Sequence, residues 1–323
     1  MHRNSNSERN LWYVNFVTCV VHLTCASVVI GLWTDWPIPV TTSFIDWHVT
    51  NSTLKNCDDG NCYVKKSFAT WPDIPDISLM GLVLGFHFLS ISWQFLVLLP
   101  TSIQDMYHAY LTEERNPFRW CEYALSAPLM MIVISAMLGE VDISVYVLLA
   151  VCTSVLMGLG HLQETHMRTT LVPHQIGWAL FFLTWSVPTF TFYVSLTQSQ
   201  SVPPARIVTI VWATYLLMIV LFGCFGIVQT VHVNYNHNTF LNKIARNLNC
   251  CRGKQLAYKF VKDHNGPPPN YYYKIELAYG VLSATAKVAL AILVMTLIRV
   301  RQDMLQLEFV GSADDSFESK KCV

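Results

Sequence analysis

A single lysine, Lys287, interrupts an otherwise uncharged run that extends from Leu277 to Ile298. A charge near the middle of a membrane-length helix costs at least about 2.5–3.5 kcal/mol, so it requires a partner or a chemical modification. The clearest acid inside another apolar segment is Glu122, one turn after Arg119. Two interpretations are open: a structural ion pair between helices, or a Schiff base between Lys287 and a carbonyl chromophore, with Glu122 as the counterion.

Two serines could assist a charged nitrogen at this position. Ser283 lies four residues before Lys287 on the same helical face, where its hydroxyl can form a hydrogen bond near the lysine nitrogen. Ser90 belongs to another apolar segment, one turn before Gln94. Serines in apolar helices also bond to their own backbone, so the residues alone favour neither role.

Aromatic residues crowd the segment GWALFFLTWSVPTFTFY. Trp178, Phe182 and Trp185 follow one another in steps of four and three residues, which places them on one helical face. Such stripes more often serve packing or lipid contact. A long conjugated chromophore, however, needs an apolar slot with aromatic walls, and Gly158 and Gly160 in the preceding segment offer small residues opposite.

The composition indicates an integral membrane protein. Of the 323 residues, 53% are hydrophobic and 13% are charged, and the mean hydropathy is +0.36. A soluble domain contains about 25% charged residues. A formal net charge of zero excludes a nucleic-acid-binding protein that works through bulk positive charge. The apolar run after the polar stretch MHRNSNSERN is too long for a signal peptide, so none is predicted.

Windows of about 20 residues, the length that crosses a bilayer, predict an all-α membrane protein with seven transmembrane helices. The predicted spans are 11–33, 78–99, 118–139, 143–162, 174–197, 205–230 and 274–298. With the N-terminus in the cytoplasm, twelve Lys and Arg residues fall inside and eight outside, and six of the twelve lie in a long basic loop, 231–270. This bias predicts a cytoplasmic segment 1–10 and an extracellular tail 300–323, flanking a seven-helix domain over 11–299.

The first predicted extracellular loop, 34–77, is longer than a plain connector needs. Its Asp-Asp-Gly turn signal at 58–60 favours a short β-hairpin. Cys57 and Cys62 flank that turn and are predicted either to form a disulfide or to remain two free thiols. Asn51 begins an Asn-Ser-Thr acceptor for N-glycosylation on the same side of the membrane.

Two motifs, RWCEYALSA around Glu122 and LSATAKVALAI around Lys287, together resemble the heliorhodopsins, which are seven-helix retinal proteins with a rhodopsin-like fold and a cytoplasmic N-terminus. The resemblance covers all seven spans. It implies that Lys287 carries all-trans retinal as a protonated Schiff base and that Glu122 is its counterion. Ser283, Ser90 and Tyr123 match positions around the Schiff base. The implied retinal pocket consists of Leu156, Gly160, Trp178, Phe182, Ser186 and Phe222.

The resemblance also implies a polar cavity on the cytoplasmic side of the Schiff base. The family commonly has one histidine in the first span and another in the second. His22 fits the first position, whereas Gln94 occupies the second, and a glutamine cannot titrate near neutral pH. His87 is predicted to face a different part of its helix. Glu164 matches an acid at the cytoplasmic end of the fourth span, and Arg119 completes the predicted cavity.

The predicted function is light sensing, in which retinal isomerisation produces a conformational signal at the cytoplasmic loops without ion pumping. The third span is uncharged from Glu122 to Glu140, whereas a pump needs titrating groups on both sides of the Schiff base. The expected partners are membrane lipids, a second copy of the chain and a cytoplasmic signalling protein. The expected location is the plasma membrane, that of the host cell if the protein is viral. No enzyme activity and no metal site are predicted.

Two other functions stay open. Some virus-encoded members of the family resemble light-gated proton transporters, and Glu140 and Asp142 could supply an outer proton site here, although acids in loops are usually just solvated. The other candidate is a seven-helix receptor for a diffusible ligand, which would have no visible absorption band.

Overall fold

The computed structural model describes residues 5–34, 37–38, 41–45, 66–70, 76–100, 102–166, 170–198, 205–236 and 271–318. Within these residues the chain forms eight α-helices and four short β-strands. The helices are α1 (Ser5–Gly31), α2 (Leu79–Leu98), α3 (Ser102–Thr112), α4 (Pro117–Met137), α5 (Ile143–Thr165), α6 (Val172–Gln198), α7 (Ala205–Asn236) and α8 (Tyr271–Glu318). The strands are β1 (Pro37–Ile38), β2 (Thr41–Ile45), β3 (Lys66–Thr70) and β4 (Ile77–Ser78).

Seven of these helices, α1, α2 and α4 to α8, are long and apolar enough to cross a membrane, which confirms the prediction of seven spans. The remaining helix, α3, was not predicted, because its 11 residues are too few to fill a window of about 20. It contributes Tyr107 and Leu111 to a small apolar cluster that also contains Leu11 of α1. Helix α3 therefore packs against one end of the spanning bundle.

The first residues of α2 and α4 show why these helices begin where they do. Ser78 accepts a hydrogen bond from the backbone N–H of Gly81 at 3.0 Å. Asn116 accepts one from the backbone N–H of Arg119 at 3.2 Å, and Pro117 occupies the first helical position after it. Each cap satisfies a backbone donor that the first turn of a helix leaves unpaired, and proline at this position loses no helical hydrogen bond.

The seven spanning helices form a closed ring in the order α1, α2, α4, α5, α6, α7, α8, and α6 and α7 pack least closely. Helix α4 is the most enclosed, with 61% of its apolar window buried, compared with 22% for α1. Helices α1, α4, α6 and α8 begin at one end of the bundle, which we call the amino-terminal end. Helices α2, α5 and α7 begin at the other, which we call the opposite end.

The apolar core occupies the half of the bundle nearer the opposite end. Its fully buried side chains include Val83, Phe86, Ile134, Met218 and Val294. The buried charged side chains of the described residues lie at mid-depth or nearer the amino-terminal end. They are Arg119, Glu122, Glu164, Glu276 and Lys287. This division leaves a polar site inside the amino-terminal half of the bundle.

Two antiparallel strand pairs lie between α1 and α2 in the chain. Strand β1 pairs with β4, and β2 pairs with β3. The backbone N–H and the hydroxyl of Thr41 in β2 donate hydrogen bonds to the carbonyl oxygen of Val141, at 3.1 and 3.0 Å. The strands are thus attached to the turn between α4 and α5, where Gly139 has a φ of +97° that favours glycine.

Several predicted features lie outside the described residues and stay predictions: the hairpin turn at 58–60, the Cys57–Cys62 pair and the Asn51 acceptor. Most of the predicted loop 231–270 also lies outside them. At the C-terminal end, α8 continues to Glu318, so much of the segment predicted as a tail is helical. This segment contains no proline, and proline is the residue that most strongly ends a helix.

Candidate functional site

Lys287 and Glu122 meet in the interior, between α8 and α4. The Nζ atom of Lys287 donates hydrogen bonds to Oε1 of Glu122 at 2.7 Å and to Oγ of Ser90 at 2.5 Å. The Ser90 hydroxyl in turn donates to the same Glu122 oxygen at 2.7 Å. All three residues are buried. Because a buried ammonium needs an opposite charge and hydrogen-bond partners, the three side chains form one neutral unit.

Helix α4 begins below the surface of the bundle, and this brings Glu122 to the depth of Lys287. Lys287 lies about 24 Å along α8 from Tyr271, whereas Glu122 lies only about 8 Å along α4 from Pro117. The cap of α4, Asn116, is only 4% exposed. The start of α4 is therefore already inside the protein, and the two charges come into contact despite their different positions along their helices.

Tyr123 and Ser283 lie beside this pair. The ring centroid of Tyr123 is 5.6 Å from Nζ of Lys287. The Tyr123 hydroxyl donates a hydrogen bond of 3.1 Å to the carbonyl oxygen of Tyr279, which links α4 to α8. Ser283 is buried one turn before Lys287, and it lines the two cavities that flank the pair, which are described below. The structure thus gathers Lys287, Glu122, Ser90, Tyr123 and Ser283 in one place.

A cavity lies on one side of Lys287, between α4, α5, α6, α7 and α8. We call it the apolar cavity. Four residues of the predicted pocket line it: Leu156, Gly160, Trp178 and Phe222. Other apolar side chains of its wall are Trp120, Met130, Phe181 and Phe225. A cavity with this largely apolar and aromatic lining is typical of a site for a small apolar ligand, and Lys287 places a primary amine in its wall.

Two glycines shape the walls of the apolar cavity. A Cβ atom at Gly160 would lie 2.2 Å from the ring of Trp120, and one at Gly226 would lie 2.7 Å from the ring of Trp178. Both distances are far shorter than a van der Waals contact. The two indole rings can therefore approach α5 and α7 this closely only because these positions have no side chain.

Phe182 and Ser186, which were predicted to belong to the pocket, do not line the cavity. The Phe182 side chain is 62% exposed on the outer face of α6, where its ring stacks on Trp178 at 5.8 Å. The Ser186 hydroxyl is exposed and donates to the carbonyl oxygen of Leu183 at 2.7 Å. Phe182 and Ser186 follow Trp178 by four and eight residues, and the turn of the helix directs these positions increasingly toward its outer face. Phe181 lies on the inner face and lines the cavity instead.

A second, polar cavity lies between the Lys287–Glu122 pair and the amino-terminal end. Gln94 and Arg119, two of the residues predicted for such a cavity, line it together with Glu122. The buried Oε1 atom of Gln94 has no hydrogen-bond donor among the described residues. Asn15 and Glu276 also line this polar cavity. It gives the Glu122 carboxylate a polar route toward one end of the protein.

Arg119 is held between two acidic side chains at the far side of the polar cavity. Its guanidinium contacts the carboxyl groups of Glu164 of α5 and Glu276 of α8. It also lies over the ring of Tyr279, 4.0 Å from the centroid. Glu164, the fourth residue predicted for the cavity wall, lies behind Arg119 and accepts a hydrogen bond of 2.8 Å from Nε1 of Trp120. One arginine therefore joins α4, α5 and α8.

His22 lies elsewhere, and the prediction for it is wrong. Its Nδ1 atom is 3.0 Å from Nδ1 of His87, and both rings are fully buried. His87 lies one turn before Ser90 on α2, which places the histidine pair on the side of Lys287 nearer the opposite end. Gln94 and His87 are seven residues apart, almost two complete turns, so they share a helical face and differ in depth. His87, rather than Gln94, is the partner of His22.

Glu276 was missed by the sequence analysis, although a signal for it exists. It precedes Lys287 by 11 residues, which is close to three helical turns, so the two side chains share a face of α8. The charge falls outside the uncharged run that drew attention to Lys287. A search at helical spacing outward from the lysine finds Glu276, but its partner Arg119 follows only from how α4 and α8 pack.

Comparison with known proteins shows similarity to a sequence family and to solved structures. The sequence model of the heliorhodopsin family matches residues 11–240. A crystal structure of xanthorhodopsin, a light-driven ion pump with dual chromophore, aligns with 93% of this chain and 96% of its own, at 10% identity and a TM-score of 0.49. No curated protein matches the chain. With the seven apolar helices, the family match indicates an integral, multi-pass membrane protein with a retinal chromophore.

Proposed function

Because the chain belongs to the heliorhodopsin family, we propose that it is a light-sensing photoreceptor that holds all-trans retinal on Lys287 as a protonated Schiff base. One observation carries this proposal. The Lys287 amine lines the apolar cavity and at the same time contacts the buried carboxylate of Glu122. A structural ion pair alone would need the carboxylate but would not need an apolar cavity beside the amine.

The residues around the apolar cavity fit retinal. Retinal is a long, apolar, conjugated aldehyde, and the cavity presents aromatic walls with a primary amine among them. Trp120 packs closely on Gly160 and Trp178 on Gly226, and both rings belong to the wall of the cavity. Retinal bound at Lys287 would supply absorption of visible light and a bond that isomerises; the protein supplies the shape and the charge.

Glu122 and Ser90 hold the charged nitrogen in the proposed pigment. Glu122 balances the positive charge at Nζ, and Ser90 keeps the carboxylate oriented, because its hydroxyl contacts both Nζ and Oε1. Ser90 also lies 3.1 Å from the carbonyl oxygen of Phe86, which fixes its rotamer on α2. These contacts favour one position for the nitrogen and its proton.

A signal can leave this site through α4. Glu122 and Arg119 lie on the same helix, one turn apart, and Arg119 is paired with Glu164 and Glu276. A change of charge or shape at Lys287 can therefore act on the Arg119 contacts that hold the amino-terminal ends of α4 and α8 together. We place this end in the cytoplasm, where a signalling partner would bind.

Signalling is favoured over proton conduction by the contacts of Glu140. Conduction would need exchangeable groups all the way from Glu122 to the opposite end, and beyond the buried His22–His87 pair the next candidate of α4 is Glu140. The Glu140 carboxylate accepts hydrogen bonds from the backbone N–H groups of Val141 and Asp142, at 3.0 and 2.9 Å, and from the Thr191 hydroxyl at 2.9 Å. An ionised carboxylate that holds a turn to α6 in this way is an anchor rather than a proton-exchange site.

The proposal is tested by adding all-trans retinal to the expressed protein and recording its absorption spectrum. We expect a visible band in the wild type and in Lys274→Ala, which removes an exposed lysine from the same helix. Lys287→Ala should give no band. A visible pigment in Lys287→Ala, or none in the wild type, contradicts the proposal. Light-dependent current in voltage-clamped cells that reverses with the proton gradient would favour conduction instead.

A further inference from the structure

The buried charges of the site do not balance. Among the residues that the structure describes, the buried charged side chains are Arg119 and Lys287, which are positive, and Glu122, Glu164 and Glu276, which are negative. Three acids against two bases leave one negative charge uncompensated if every acid is ionised. An uncompensated buried charge is costly, and a buried acid usually removes it by binding a proton.

Glu164 is surrounded by donors and is therefore the ionised partner of Arg119. Besides the guanidinium, its carboxylate accepts hydrogen bonds from Nε1 of Trp120 at 2.8 Å and from the backbone N–H of Asn116 at 3.4 Å. The hydroxyl of Tyr272 lies 3.5 Å from the same oxygen. Four donors around one carboxylate stabilise its negative charge.

Glu276 has fewer hydrogen-bond donors around it than Glu164, and it borders the polar cavity. Its carboxylate accepts hydrogen bonds from Arg119 and from Nδ2 of Asn116, the latter at 2.7 Å. It lines the polar cavity, whereas Glu164 does not. The buried Oε1 atom of Gln94 lines the same cavity without a donor, and Nε of Arg119 is a buried donor without an acceptor among the described residues. An acid O–H of Glu276 and one or two waters would satisfy both.

We infer that Glu276 holds a proton in the resting protein and exchanges it with water in the polar cavity. The acid O–H points into the polar cavity, and its carbonyl oxygen keeps the contact with Arg119. Glu122 lines the same cavity, so the proton on Glu276 has a polar route to the counterion. The site then contains two bases and two ionised acids, and the buried charge is zero.

Several neighbouring groups could influence this proton. Helix α4 presents Arg119 and Tyr123, α5 presents Glu164, α3 presents Tyr107, and α2 presents the uncharged Gln94. Tyr272, Tyr279 and Lys287 lie on α8 with Glu276. Two histidines among the described residues could balance the charge instead by carrying a proton: His161 of α5, which interacts with Glu164 and Arg119, and His232 of α7. The His232 ring stacks on Tyr271 and is tilted against Tyr272.

Infrared absorption distinguishes these cases. The full-length protein is studied at neutral pH in a detergent without ester groups, because the ester carbonyls of lipids absorb in the same region as a carboxylic acid. At this pH exposed carboxyl groups are ionised, and a protonated buried acid shows a carboxylic C=O stretch. We expect this band in the wild type, its loss in Glu276→Gln and its retention in Glu164→Gln. In D2O the band should shift to lower frequency while the protein stays folded, because the polar cavity gives water access to Glu276. The measurement is made with and without retinal, so it does not depend on pigment formation.

Thermal unfolding provides a second measurement that does not rely on the band. Glutamine has the shape of a protonated glutamic acid, so Glu276→Gln should leave the Tm close to that of the wild type. Glu164→Gln should lower the Tm, because it leaves Arg119 without its ionised partner. A protonated-acid band that survives in Glu276→Gln, the absence of any such band in the wild type, or a Tm loss in Glu276→Gln as large as in Glu164→Gln would each overturn the inference.

Discussion

The Nζ atom of Lys287 lies 2.7 Å from Oε1 of Glu122, and this contact joins two helices whose residues are 165 positions apart in the chain. Both residues are buried, and Ser90 is the third member of the unit. Neither charge has water to solvate it, so each depends on the other. The pair is therefore both a structural link between α4 and α8 and the electrostatic centre of the proposed pigment.

Glu122→Gln should destabilise the retinal-free protein strongly. The substitution leaves the Lys287 ammonium buried beside a neutral amide, and removal of one partner of a buried pair costs roughly 3–5 kcal/mol. The measurement is thermal unfolding in detergent without retinal. Glu113→Gln is the matched control, because Glu113 forms an exposed ion pair with Arg115, and exposed pairs contribute about 0–1 kcal/mol. Equal Tm values for the two variants would contradict the claim that the buried Lys287 ammonium depends on the Glu122 carboxylate.

Gly160→Ala should interfere with the apolar cavity, whereas Gly158→Ala should not. A Cβ at Gly160 would lie 2.2 Å from the Trp120 ring, which is held in place by its hydrogen bond to Glu164. Nothing lies within 4 Å of a Cβ at Gly158. We expect Gly160→Ala to cost roughly 1–3 kcal/mol and to lower pigment yield. Gly158→Ala should be neutral or stabilising by up to about 1 kcal/mol. Identical pigment yield and Tm in both variants would contradict the close packing of Trp120 against Gly160.

His87→Phe should destabilise the protein through His22. The substitution leaves the Nδ1 atom of His22 buried without its partner, which costs roughly 1–3 kcal/mol, whereas replacing both histidines by phenylalanine should recover part of the loss. Thermal unfolding of the two single variants and the double variant measures this coupling. The same cycle between His22→Phe and Gln94→Leu should be additive. Coupling to Gln94 instead of His87 would restore the arrangement predicted from the family resemblance.

The protein should lose stability at alkaline pH because Tyr107 of α3 is buried. Burial raises the pKa of Tyr107 from its ordinary value of 10 to about 12. The protonated phenol is favoured in the folded state, so its contribution is fully present below about pH 10 and is lost as the pH rises to about 12. Relative to Tyr107→Phe, the wild type should therefore lose up to about 3 kcal/mol over this interval. Thermal unfolding across that pH range measures the difference, and Tyr13→Phe, at an exposed position, should follow the wild type.

Much of the fold could be predicted because a bilayer imposes a simple constraint. A spanning helix must be apolar over about 20 residues, so windows of that length locate all seven spans. Lys287 and Glu122 could be paired for the same reason, since two charges in apolar surroundings require each other. Helix α3 obeys no such constraint, and its 11 residues depend on packing against the end of the bundle.

The errors concern which face and which depth a side chain occupies. Phe182 shares an aromatic stripe with Trp178, but the stripe passes from the cavity to the outer face within one turn. His87 was predicted to face away from the Gln94 position, but seven residues make almost two complete turns, so the two side chains share a face and differ in depth. Glu276 contacts Arg119 because α4 packs against α8. The spacing of residues within either helix cannot predict this contact.

The central claim is that Lys287 is the site of retinal attachment, and peptide mapping tests it most directly. The pigment formed with all-trans retinal is reduced with borohydride, which makes the linkage permanent, and the protein is then digested and analysed by mass spectrometry. We predict the added retinyl mass on the peptide that contains Lys287 and on no other. Label on a different lysine, such as Lys274, or a visible pigment that yields no labelled peptide, would contradict the claim.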